Sequence, residues 1–191
     1  GELAKAWSRD EWALNNVCRA IDRVTATALD EGRIKDAIEF QNRAIRFRAA
    51  IFGDQSIEFA RSANFLALAL SQAGRGRTAK DWYQKSLAIC ESLLGDAHPL
   101  TATVLSNLGA ELRLSGKAAE AIPYFQRSLR TYEAIAGNDD LNTVNVAAHL
   151  CTAYEDTGEL ALAESFGKRA LRVRLQVLGE KHYETFASHV L

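Results

Sequence analysis

The sequence has no methionine, only two prolines and three cysteines, and no apolar run of the roughly 18 residues that a membrane helix needs. Each shortage excludes something. Few prolines leave long helices unbroken. Cys18, Cys90 and Cys151 cannot all pair and form no CxxC, so they are read as small residues of a reduced interior, in a cytoplasmic protein. No secretory signal is visible. A formal net charge of −1 supplies no whole-molecule field for nucleic acid or an anionic membrane. With no methionine even at the first position, Gly1 is read as a tag remnant or a domain boundary, and the chain as a fragment of a larger protein.

Catalytic patterns are missing too. His98, His149, His182 and His189 have no histidine or cysteine three or four residues away, so no metal site is expected. Gly74-Arg75-Gly76 lacks the strand and the lysine of a phosphate loop. There is no G-x-S-x-G, no H-E-x-x-H and no cysteine–histidine signature. The expectation is a non-enzymatic protein with no catalytic residues and no cofactor.

What the sequence does contain is a period. Gly53, Gly95, Gly137 and Gly179 recur every 42 residues, each after paired apolar residues, and Gly32, Gly74, Gly116 and Gly158 recur at the same step. A fixed period of this size marks an array of helix pairs. Hydrophobic content of 48% is ample for a core. The glycines bound helices over about 9–31, 33–52, 56–73, 75–94, 99–115, 117–136, 141–157 and 159–178, with a short final helix from Tyr183. Ser8-x-x-Glu11 offers a capping box for the first helix. Asp54, Asp96 and Asn138 follow their glycines as cap candidates, and Pro99 suits a first helical position. Trp7 and Trp12 are expected to shield the open end of the array. Pro123 falls inside a helix and predicts a mild kink.

Columns of like residues run through the repeats. Five residues after each turn glycine stand Ala37, Ala79, Ala121 and Ala163; twelve after it, Ala44, Ser86, Ser128 and Ala170; thirteen after it, Ile45, Leu87, Leu129 and Leu171. Eight before it are Val24, Leu66, Leu108 and Leu150, and seven before it Thr25, Ala67, Gly109 and Cys151. Small residues at such steps let antiparallel helices approach, while large neighbours fill the space between pairs.

Small-x-x-Leu before a turn glycine, with alanine, aromatic and alanine after it, resembles the tetratricopeptide repeat. The 42-residue step resembles the longer variety found in kinesin light chains; Leu94-Gly95-Asp96-Ala97-His98-Pro99, Asn107-Leu108 and Ala121-Ile122-Pro123-Tyr124-Phe125 carry the match. The resemblance implies an all-α, right-handed superhelix: repeats at about 11–52, 53–94, 95–136 and 137–178, a cap segment at 1–10 and a partial fifth repeat at 179–191. Two slots depart from the pattern, since Gln41 and Gly167 stand where Tyr83 and Phe125 supply the aromatic. There Phe40 and Phe166 occupy the adjacent slot, so rotated packing is expected.

The resemblance also implies a concave groove, lined by the first helix of each pair, that holds a partner's peptide. By spacing its residues are Arg23, Arg61, Asn64, Phe65, Leu68, Asn107, Arg113, Asn145 and His149, and Asp22, Ser106, Ala110, Thr152 and Glu155 share that face. Amides suit a peptide backbone and Phe65 an anchor. Arg43, Lys85, Arg127 and Arg169 form a basic column, with Arg46, Arg130 and Arg172 a turn further on; acidic neighbours such as Glu39 and Glu120 offset it, so nucleic acid is disfavoured. The partner expected is a protein or peptide. The alternative is a structural or regulatory arm of a multidomain signalling protein, working by self-association through the 179–191 end or by packing on a neighbouring domain.

Overall fold

In the computed structural model residues 2–179 are described, with side chains from Ala13 onward except Asn15 and Leu178. They form eight α-helices and no strand: α1 (Glu2–Asp30), α2 (Ile34–Phe52), α3 (Ile57–Gln72), α4 (Gly76–Leu94), α5 (Pro99–Leu114), α6 (Ala118–Ala136), α7 (Leu141–Thr157) and α8 (Leu160–Leu178). Consecutive helices pair as four hairpins. The chain divides into two compact units, Gly1–Ile89 and Cys90–Leu191. Within the first, α2 packs on α1 and α3; within the second, α6 packs on α5 and α7, and α8 on α7.

The glycines decide where the helices stop. Among the described residues every positive φ belongs to a glycine, and all eight are the ladder positions. Each hairpin turn closes with the same two bonds: Arg33, Arg75, Lys117 and Glu159 donate their N–H to the carbonyl five residues back, and the preceding glycine donates to the carbonyl three back. That geometry needs a left-handed residue. The glycines between hairpins take a different form, as at Gly53 (φ 85°, ψ 160°) and Gly137 (φ 85°, ψ 179°), a region that only glycine enters readily.

The boundaries match the expected spans within two residues except at the start. The chain is helical from Glu2 straight through Ser8, so the helix does not start at Ser8, and the side chains of the capping box expected at Ser8–Glu11 lie outside the described residues. No glycine or proline stands between residues 2 and 31 to stop the helix. The first-helix caps also differ from expectation. Ser56 accepts from the Phe59 N–H, His98 Nδ1 from Leu100, and Asp140 from Asn142. A cap must immediately precede the first helical residue, and the positions after the glycines lie two residues too early. Asp96 and Asn138 instead accept from Arg127 and Arg169. Pro99 takes the first helical position as expected, and α6 runs through Pro123 unbroken. The Trp7 and Trp12 side chains, and the helix expected from Tyr183, lie outside the described residues.

The small columns are the core. Ala37, Ala79, Ala121 and Ala163 are buried, as are Ala44, Ser86, Ser128 and Ala170. Ser86 Oγ donates to the Ala60 carbonyl and Ser128 Oγ to the Ala102 carbonyl, the same bond one period apart. Leu66, Leu108 and Leu150 are buried, but Val24 in the same column is 48% exposed. The two departing slots also resolve. Gln41 is fully buried and donates to Thr25 Oγ1, while Phe166 stacks on Tyr154 at 5.8 Å beside Gly167.

Two glycine substitutions separate backbone strain from crowding. At Gly137 an added Cβ meets no atom within 4 Å, so Gly137→Ala is expected to cost about 1–3 kcal/mol through backbone conformation alone. At Gly109 it would lie 2.8 Å from Phe125 Cε1, so Gly109→Ala is expected to cost about 1–3 kcal/mol by overpacking. Urea denaturation should show that penalty shrinking in a Phe125→Leu background; equal penalties in both would clear the ring of blame.

Candidate functional site

Successive turns of α1 and α3 place Asn16, Arg19, Asp22 and Arg23 opposite Arg61 and Phe65, around an open hollow of about 510 Å³ in the first unit. The Asp22 carboxylate is already engaged. Arg48 of α2, fully buried, donates through Nη2 to Asp22 Oδ1 (2.8 Å) and to the Cys18 carbonyl (2.6 Å). Its Nη1 donates to Ser62 Oγ and the Glu58 carbonyl. One guanidinium thus joins α1, α2 and α3. Among the described residues no carboxylate pairs with Arg19, Arg23 or Arg61, so the rim of the hollow is cationic. Arg48 escaped the sequence reading. Its column continues one period at a time as Cys90, Tyr132 and Arg174, of which Cys90 and Tyr132 are buried.

The second unit has a polar hollow of about 190 Å³, formed by Thr103, Ser106 and Asn107 of α5, Tyr132 of α6, and Asn142, Asn145, Val146 and His149 of α7. Thr103 Oγ1 and the Tyr132 hydroxyl share a hydrogen bond of 2.7 Å. Arg174 donates to Asn145 Oδ1, and the His149 ring stacks on Phe125 at 5.3 Å. Burial pushes the His149 pKa down, and the positive charges of Arg113 and Arg174 push it the same way. The imidazole is therefore held neutral, able to donate from one nitrogen and accept at the other. Arg113 ties α5 to α7 through Asp156.

The expected groove residues thus fall into two sets. Arg23, Arg61 and Phe65 share the first hollow; Asn107, Asn145 and His149 share the second. Asn64 is buried, and Leu68 packs beside Ala28, Leu29, Ala37 and Ala69 near the first turn. Thr152 caps back onto the His149 carbonyl, and Glu155 accepts from the Cys151 thiol.

The basic column is occupied by structure. Arg43 pairs with Glu39, Arg127 with Glu91 and Asp96, and Arg169 with Glu133 and Asn138. Lys85 sits 4.7 Å over the Phe59 ring. All three cysteines are buried. Among the described residues no group of three His, Cys, Asp or Glu side chains could hold a metal ion, and no helix is long and apolar enough to cross a membrane.

Recurrent helical hairpins with a period of 42 define a repeat scaffold. Profiles of the tetratricopeptide repeat match residues 58–134 and 143–184, and the chain belongs to that family. Its fold is similar to that of BtubC (BKLC) from P. vanneervenii, at 19% identity, with 99% of this chain and 78% of that one covered and a TM-score of 0.77. It is also similar to a Podosopora anserina protein assigned as a kinesin light chain with nearly identical TPR-like repeats, at 17% identity, 89% and 81% coverage and a TM-score of 0.75. Aspartyl phosphate phosphatase F from Bacillus subtilis is similar at 12% identity, 91% and 44% coverage and a TM-score of 0.73. No curated protein matches the sequence.

Two measurements test these interiors. Asp22→Ala would leave Arg48 buried and uncompensated, at an expected cost of about 3–5 kcal/mol in urea denaturation. His149 has a folded pKa below its ordinary 6.5, so the unfolded chain binds its proton first. The His149 contribution to stability is complete above that value and declines as pH falls toward the folded pKa. Comparing wild type with His149→Gln between pH 7.5 and 5.5 should therefore show the steeper acid loss in wild type.

Proposed function

We propose that this protein is a non-enzymatic interaction module that binds a peptide or partner domain through residues of its first helices. The observation that carries the reading is the pairing of an aromatic with Arg19, Arg23 and Arg61, which pair with no carboxylate among the described residues, around the hollow of α1 and α3. Phe65 offers an anchor surface, and Arg19, Arg23 and Arg61 offer charge-assisted hydrogen bonds to carboxylates. Asn107, Asn145 and His149 supply donors and acceptors suited to an extended backbone. An acidic segment with an apolar anchor fits this chemistry best. Affinity on the order of micromolar is expected, because ordering a flexible peptide offsets part of the contact energy. The buried thiols fit a reducing, cytoplasmic setting. The rival reading, a regulatory arm acting by self-association, is favoured by an exposed apolar face on the first hairpin.

Peptides selected from a random display library against the whole chain test the proposal. Selected sequences should be acidic, Arg23→Glu with Arg61→Glu should weaken them at least about tenfold, and added salt should weaken wild-type binding. Phe65→Ala and Asn107→Ala should each weaken binding in variants that keep their helical circular dichroism. Unchanged affinity in all of these folded variants would remove the first-helix surface from consideration.

A further inference from the structure

The cationic hollow of the first unit carries more charge than one acidic side chain uses. Of its six lining residues three are arginines and one, Asp22, is a carboxylate. That carboxylate accepts from the buried Arg48 at 2.8 Å. A cation inside the protein therefore neutralises the hollow's own acid, and the rim keeps all three positive charges. Arg19 and Arg23 stand four apart on α1 and so share a face; Arg61 and Phe65 do the same on α3. The three arginines are exposed and Phe65 is half-buried. By contrast, Arg33 and Arg43 of the same unit pair with acids close by in sequence.

Three guanidinium groups around one hollow specify the kind of anion. A carboxylate offers two oxygens and a single charge, which one planar fork already fills. A phosphate ester carries a charge of about −1.5 to −2 at pH 7 and presents three strong acceptor oxygens. Forks arriving from two helices suit that group better. The cations form no track for a nucleic-acid backbone, since Arg43, Arg127 and Arg169 of the outer column are held by acidic partners and the chain's net charge is −1. The hollow calls for one multiply charged group beside an apolar surface, and a phosphorylated side chain on a peptide supplies both.

We infer that the hollow of α1 and α3 receives a phosphorylated side chain of a partner peptide, with the phosphate on Arg19, Arg23 and Arg61 and an adjoining apolar part on Phe65. The inference rests on the peptide-binding reading above and adds the modification that the site selects. Phosphorylation of the partner then strengthens binding, because the unmodified peptide leaves cations unmatched.

Fluorescence anisotropy on the whole 191-residue chain tests this, with degenerate peptides that differ only in a fixed central residue: phosphotyrosine, phosphoserine, tyrosine or glutamate. A phosphorylated set should bind at least about tenfold more tightly than the glutamate set, and the better of the two identifies the modified residue. Arg19→Gln, Arg23→Gln and Arg61→Gln, each with the helical circular dichroism of wild type, should shrink that advantage at least about threefold. Arg61→Lys, which keeps the charge and loses the fork, should shrink it less. Arg46→Gln, at an exposed arginine outside the hollow, should leave it unchanged. Equal binding of the phosphorylated and glutamate sets would overturn the inference and leave the acidic-segment reading standing; no binding by any set would remove both. An advantage that survives all three glutamine variants would put the phosphate elsewhere and overturn it too. So would inorganic phosphate or a single-stranded oligonucleotide that binds as tightly as the phosphorylated set and loses affinity in the same variants.

Discussion

Where the two helices of a hairpin cross, the side chain on one must leave room for the side chain on the other, and that closeness sets the spacing of everything stacked on them. The crossing pair stands sixteen residues apart in sequence. In the third hairpin Gly109 leaves space for the Phe125 ring; in the fourth Cys151 fills the space that Gly167 leaves, its sulfur 3.1 Å from where a Cβ would be. The first hairpin solves the same problem with polar groups, Gln41 donating to Thr25 in full burial. Residue types change along the column while the fit persists, so a change on one helix is tolerated only with a matching change on the other.

A second set of repeated contacts fixes one hairpin to the next. Thr101 donates to the Gly95 carbonyl and Thr143 to the Gly137 carbonyl. Arg127 reaches Glu91 and Asp96 as Arg169 reaches Glu133 and Asn138. These bonds join the end of one hairpin, the linking turn and the following second helix. Two arginines of the basic column, Arg127 and Arg169, are for this reason engaged in joining one hairpin to the next. The variable chemistry lies on the first helices, where the two units differ: arginines around Phe65 in one, amides around a neutral His149 in the other.

Repeat architecture explains why such a chain suits recognition better than reaction. Each hairpin contributes a few side chains to an open surface. Polar groups that are enclosed, Arg48 with Asp22 above all, are spent on joining three helices. What remains available is charge, aromatic surface and amide groups at solvent-facing positions, which is the chemistry of binding.

The sequence by itself determined the helices and their order, because glycine is the residue that tolerates the positive φ required at all eight turns and the period places those turns. It also determined the buried columns, since only small residues recur where helices touch. The exposure of Val24 was decided by tertiary structure. Val24 belongs by pattern to the column of Leu66, Leu108 and Leu150 and differs only in what lies against it. The binding of Arg48 by Asp22 and the stacking of His149 on Phe125 were likewise beyond local reading, since each joins residues from different helices, 26 and 24 positions apart in sequence. A repeat period specifies which positions are equivalent, and only packing specifies which equivalents meet a neighbour.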